Sequence, residues 1–304
     1  MLSVSIKAPA KINLFLRVLN KRKDKFHNLQ TLFERIGLFD KITLTRRKDN
    51  RIVISSSNRS LPKGRGNLMY KAALLLKKKY GIKEGLGIFI DKNIPISAGL
   101  GGGSSDCATT LLGLNRLWKL KLTKKELLQM AKNLGSDVPF FVSNNSFSLA
   151  TGRGEALKNL RNHIRLWHIL IVPKIILSTK KVYAHFDKIE HKNEQEIRPS
   201  TASLTKGSRD VNIYILCLAK LGLTKRLRLL AKVNFNSLEF AAKRLAPQIS
   251  RIKKVLYSLG IKYVGMSGSG PSVFGILNSG KEAKALRRKL ARYKDWRTFV
   301  VRTC

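Results

Sequence analysis

An α+β chain of two domains is the fold the sequence predicts, and three observations predict it. The chain has 304 residues, enough for two ordinary domains with real cores. Strand-like and helix-like patterning alternate through the first half, where a glycine-rich loop separates a strand from a helix. A second alternation closes the chain and points to a small α+β sandwich.

The elements follow in order. Residues 4–6 and 12–18 read as two strands, and residues 42–45 and 51–54 as a hairpin pair. Asn67 is placed to cap a helix through Tyr80, with Leu68, Ala72, Leu75 and Leu76 on one face and Lys77, Lys78 and Lys79 at the end where cations suit the dipole. A strand at 86–90 leads to Pro95 to Ser105, which reads Pro-Ile-Ser-Ala-Gly-Leu-Gly-Gly-Gly-Ser-Ser, and then to a helical stretch. Glycines at this point let successive N–H groups turn toward an anion, and the helix behind adds its positive end. Ser104 and Ser105 are expected at the N-cap, where they could cap the helix or reach phosphate oxygens and a metal ion. No Walker-type Lys-Ser/Thr pair and no G-x-G-x-x-G fingerprint is present, so the common nucleotide folds lose weight. A plain surface turn is the alternative reading of the three glycines.

Thr123 to Glu126 is a capping box that opens a further helix, and Gly135 should stop it, so Asp137 is presented at a helix end. Residues 167–172 are strand-like, and residues 188–210 read as a mobile connection. A helix at 247–259, strands at 262–265 and 272–277, a helix at 281–293 and a strand at 298–302 complete the chain.

Composition narrows the function classes. No apolar run approaches the roughly 20 residues that span a bilayer, and the first residues carry no export pattern, so no membrane role and a cytoplasmic location are expected. Cys107, Cys217 and Cys304 are too scattered for a disulfide framework or a zinc knuckle. The 60 Lys and Arg against 18 Asp and Glu leave a formal charge of +42. Its basic clusters are spread through both halves, which implies nonspecific nucleic-acid binding at low salt rather than a dedicated nucleic-acid site, and faster capture of an anionic small molecule. No obligate protein partner is evident.

Four segments occur in an order that resembles the GHMP small-molecule kinases. They are Pro9-Ala10-Lys11-Ile12-Asn13, the glycine loop, Gly135-Ser136-Asp137-Val138-Pro139 and Gly268-Ser269-Gly270-Pro271-Ser272. The resemblance implies a two-domain GHMP kinase fold. It places an N-terminal domain like ribosomal protein S5 domain 2 at residues 1–160, a ferredoxin-like C-terminal domain at 161–304, and the active site in the cleft between them. It also implies ATP and Mg2+ as cofactors. Asp137 becomes the candidate general base for an acceptor hydroxyl, and Lys11 the cation that keeps it ionised and stabilises developing charge. Pro95, Gly99, Leu100, Gly101, Gly102, Gly103, Ser104 and Ser105 become the ATP-binding loop, with Ser105 a possible metal ligand. Asn67 matches an adenine-contacting position; capping is the alternative.

Asp24-Lys25-Phe26-His27-Asn28-Leu29 narrows the resemblance to members that act on a cytidine diphosphate-linked methylerythritol, a small-molecule substrate of the non-mevalonate isoprenoid pathway. Asn13, Phe26, His27 and Tyr183 would then bind that substrate, Phe26 and Tyr183 flanking the base. Homoserine- or mevalonate-type kinases, and an RNA-associated protein, are the alternatives. Lys25 and Phe26 stand where the family usually has glycine and tyrosine; a lysine adopts positive φ less cheaply than glycine, so a different turn geometry is expected, and a phenolic donor is lost. The Gly268 to Ser272 segment is expected to close over the nucleotide loop.

Overall fold

The computed structural model describes residues 2–160, 165–190 and 235–304. Two long strands, β1 (Ser3–Lys21) and β2 (His27–Arg47), run antiparallel along their whole length. The two short strands expected at 4–6 and 12–18 are therefore one. Bulges at Pro9/Ala10 and Asn13/Phe15 absorb the proline, which cannot donate to the ladder, and re-aim the residues between them.

The other edge of β2 carries β4 (Gly85–Asp91) at one end and β5 (Phe147–Thr151) at the other, and β6 (Ala156–Leu160) pairs with β5. Strand β3 (Ile52–Ser56) does not form the expected hairpin with β2; it pairs in parallel with β4, which lies between them. Leu86, Ile88 and Ile90 of β4 are all buried, whereas β3 buries only Ile54, so the more apolar strand takes the inner place.

Four helices cover this sheet: α1 (Leu68–Lys79), α2 (Gly102–Leu117), α3 (Lys124–Leu134) and the short α4 (Val138–Ser143). Met69, Leu76, Leu111, Leu114 and Phe140 pack on Ile42, Leu44, Ile88 and Ile90 in one core, each large side chain contributing about 1.5–3 kcal/mol. The buried face of α1 is Met69, Ala72, Ala73 and Leu76, rotated from the expected one. Both hydrogen bonds of the capping box at the start of α3 form, and Gly135 is the C-cap of the helix.

A second sheet of order β10-β7-β9-β8 is antiparallel throughout: β7 (Trp167–Pro173), β8 (Val264–Met266), β9 (Val273–Leu277) and β10 (Trp296–Arg302). With it pack α5 (Thr179–Glu190), α6 (Glu239–Leu245), α7 (Gln248–Ser258) and α8 (Gly280–Leu290). The last helix stops at Leu290, three residues before the expected end. Of the expected mobile connection, residues 188–190 are the last turn of α5 and the rest lies outside the described residues.

The two sheets meet through a core of their own, in which Ile12, Phe15, Leu32 and Ile36 pack on Leu170, Phe274 and Val301. A fully buried Glu34 sits in this seam. Its Oε1 lies 2.9 Å from His168 Nε2 and accepts a 2.6 Å hydrogen bond from the Thr303 hydroxyl. No described helix is long and apolar enough to cross a membrane.

Candidate active site

The β1 bulges turn Lys11 and Asn13 into a cleft of about 810 Å³ that runs along the junction of the two sheets. Burial defines Lys11: it is 4 % exposed, its Nζ donates to Asn13 Oδ1 at 2.5 Å, and Asp137 Oδ2 lies 3.6 Å away. The Phe33 ring is 5.0 Å beneath the ammonium. Burial lowers the Lys11 pKa from its ordinary value, and Asp137 acts in the opposite direction. Asp137 is the N-cap residue of α4 but makes no side-chain cap bond, which leaves its carboxylate turned to the cleft.

The glycine loop forms the wall on one side of this pair. Lys11 N–H donates to Leu100 O at 3.0 Å, which fixes the loop to β1. Gly101, not Ser104 or Ser105, is the N-cap of α2, with φ 68. A Cβ there would come within 3.0 Å of both Lys11 Cγ and Phe141 Cζ, so only glycine fits. Ser104 falls in the first helical turn and faces the cleft. Ser105 is fully buried behind it, outside the cleft lining, and its Oγ has no hydrogen-bond partner among the described residues. The expectation of two capping serines is thereby corrected, because the loop turns into helix earlier, with its N-cap at Gly101 rather than at Ser104 or Ser105.

Gly99 has φ 75, and a Cβ on it would lie 2.2 Å from Ser267 O. The Ser267 hydroxyl donates to Gly99 O at 2.9 Å and accepts from Asn13 N–H at 3.2 Å. The segment leading into Gly268 thus lies against the glycine loop. Asn13 Nδ2 donates to Thr31 Oγ1 at 2.8 Å, and Thr31 in turn donates to Phe15 O, so Asn13 is oriented on every side. Pro95, Gly99, Leu100, Gly101, Gly102 and Gly103 all line the cleft. Asn67 does not. Its Oδ1 accepts from Met69 N and its Nδ2 donates to Pro62 O, so both halves of the amide serve the helix start.

Under Gly102, Lys92 Nζ bonds to Asp40 and, at 2.7 Å, to Asp106, all three side chains being almost wholly buried. Burial pushes the Asp106 carboxyl up, against the pull of Lys92.

The opposite end of the cleft is made of side chains. Lys25 takes φ 67, the left-handed value for which glycine is suited, so the turn keeps this geometry on a lysine. It is held by Arg22 N–H donating to Phe26 O at 2.7 Å. Phe26 is 53 % exposed, and the Arg153 guanidinium sits 5.2 Å from its ring centre. His27 is buried, stacks on Tyr183 at 5.2 Å, and places Nε2 2.8 Å from Asp187 Oδ1. Burial pushes the Tyr183 hydroxyl up to about 12.

Sequence reasoning missed Asp187, Arg153, Thr31 and Ser267. A signal existed for two of them. Asp187 follows Tyr183 by four residues, one helical turn on the same face of α5, and Arg153 stands between two glycines in the β5–β6 turn.

Two family models match the chain: the GHMP kinases N terminal domain over residues 67–145 and the GHMP kinases C terminal domain over 218–295. The 4-diphosphocytidyl-2-C-methyl-D-erythritol kinase of Bacillus licheniformis is 38 % identical over 298 residues, 97 % of this chain and 95 % of that one. The chain belongs to the GHMP kinases. A GHMP kinase of the same name from Shouchella clausii is 41 % identical over 93 % of this chain and 88 % of its own. Among solved structures, a 4-(cytidine 5'-diphospho)-2C-methyl-D-erythritol kinase superposes with a TM-score of 0.74 at 29 % identity, covering 98 % of this chain and 99 % of its own. The mevalonate kinase of L. major reaches the same TM-score at 15 % identity over 99 % and 96 % of the two chains, a likeness of fold alone.

Proposed function

We propose that this GHMP kinase transfers the γ-phosphoryl group of ATP to the C2 hydroxyl of 4-diphosphocytidyl-2-C-methyl-D-erythritol. The observation that carries the reading is the order of parts along one cleft: glycine loop, then the Lys11–Asp137 pair, then the Phe26, His27 and Tyr183 end. The named relatives, similar over nearly the whole chain, support the choice of substrate.

Asp137 accepts the proton of the tertiary alcohol, and Lys11 stabilises the alkoxide character that develops. The backbone N–H groups of Gly101 to Ser104, at the head of the 16-residue helix α2, bind and orient the phosphates. Asn13 fixes Lys11, and Ser267 fixes Asn13 and Gly99 together, so the base and the phosphate cradle share one support. The residues present fit a magnesium ion that arrives with the nucleotide. Among the described residues no three His, Cys, Asp or Glu side chains cluster as a resident metal site, and Ser97 and Ser104 are the loop hydroxyls that line the cleft. Bound Mg2+ would neutralise phosphate charge.

At the far end, His27 and Tyr183 offer a stacked pair and Phe26 an open face for a flat base. The division of the chain into an N-terminal domain at 1–160 and a C-terminal one at 161–304 belongs to the same reading. The test is ADP release with this acceptor, homoserine or mevalonate, for the native chain and Asp137→Asn. Selective turnover of the cytidine compound, lowered about 10²- to 10⁴-fold in the variant with ATP binding kept, is expected. Equal turnover of the variant would remove Asp137 from the reaction, and preference for another acceptor would remove the substrate.

A further inference from the structure

Arg153 has no part in the chemistry above, yet it lines the cleft. Its residue number puts it in the tight β5–β6 turn, where Gly152 (φ 67) and Gly154 (φ 112) flank it and aim its backbone. The guanidinium lines the cleft beside the Phe26 ring. On one side it stacks at 5.2 Å over Phe26; on the other its neighbour Gly154 sits with its Cβ direction 3.7 Å from Asp137 Oδ1.

The charge around it is poorly matched. Arg153 Nε is buried without a hydrogen-bond partner among the described residues, and the nearest carboxylate oxygen, Glu155 Oε1, is 3.9 Å away. Glu155 instead accepts a 2.7 Å bond from Arg153 N–H, and the other nearby acid, Asp24, is taken by Arg22 at 3.1 Å. Lys11 is tied to Asp137, and Lys92 to two aspartates. A buried guanidinium edge without a partner is costly unless a ligand supplies the acceptor. Its planar fork suits a phosphate, and its face suits an aromatic ring, so one side chain can serve both.

We propose that Arg153 is a specificity-determining residue that binds the diphosphate of the acceptor, between the base at Phe26 and the hydroxyl at Asp137. The inference rests on the reading of the cleft given above.

Calorimetric titration with cytidine and with CDP tests this, with the nucleotide site saturated by a non-hydrolysable ATP analogue. Arg153→Ala should weaken CDP about 10- to 100-fold and leave cytidine within about twofold, and Arg153→Lys should recover part of the loss. In turnover, the KM for the acceptor should rise while the KM for ATP stays unchanged. Equal weakening of cytidine and CDP would overturn the inference, because Arg153 would then act only by supporting Phe26. Unchanged CDP binding in Arg153→Ala would overturn it as well. A native chain that binds neither probe would overturn the cytidine reading and this inference together.

Discussion

At one end of the cleft the ligand-facing groups are backbone; at the other they are side chains. The glycine loop presents N–H groups and is clamped from three directions, by Leu100 O on β1, by Ser267 on Gly99 and by the start of α2. The Phe26 end presents rings and charges on a turn with a strained lysine and a half-exposed phenylalanine. Backbone recognition demands that certain side chains be missing, whereas side-chain recognition demands that particular ones be present. The first end should therefore fail by added atoms and the second by removed ones.

Substitutions sharpen that contrast. After Asp137→Asn, the largest effect should come from Gly99→Ala, which meets Ser267 O at 2.2 Å in a left-handed conformation. A loss of about 2–5 kcal/mol in denaturant unfolding is expected, since strain and overpacking add. Gly103→Ala, with nothing described within 4 Å of its Cβ, should stay within about 0.5 kcal/mol of the native chain. Equal effects at the two positions would break the idea of a clamped loop.

Phe26→Ala should leave the unfolding midpoint unchanged and raise the KM for the cytidine acceptor about tenfold, as expected for a lost base-stacking face. An unchanged KM would show that the His27 and Tyr183 pair suffices. The smallest effect belongs to Lys25→Gly. Relief of its positive φ should raise stability by up to about 1 kcal/mol, less the larger freedom that glycine has in the unfolded chain. A fall in stability would mean that the lysine side chain holds the turn.

The same contrast explains what the sequence could tell. The glycine loop, the α3 capping box and the Asn67 cap were legible because each is a local rule with its residues side by side. Strand β2 was half hidden, since His27, Thr31 and Glu34 are polar residues buried by partners far along the chain. Glu34 finds His168 134 residues away, and nothing near Glu34 announces it. Strand β3 was assigned the wrong partner for a related reason. Its true neighbour β4 comes about thirty residues later, and proximity in sequence favoured β2. The Lys11–Asp137 pair was legible only through the resemblance, because a lysine in a strand and an aspartate at a helix end are ordinary by themselves.

The Ser267 hydroxyl joins Asn13 N–H to Gly99 O, and the first of these contacts spans 254 positions. A ribosome adding about 5–20 residues per second exposes Asn13 roughly 13–50 s before Ser267. During that interval the first sheet can form while the glycine loop still lacks its clasp. Synthesis thus sets a clock on the cleft: the loop is fastened only once Ser267 has left the ribosome, and until then the first sheet carries a cleft with one wall unclasped.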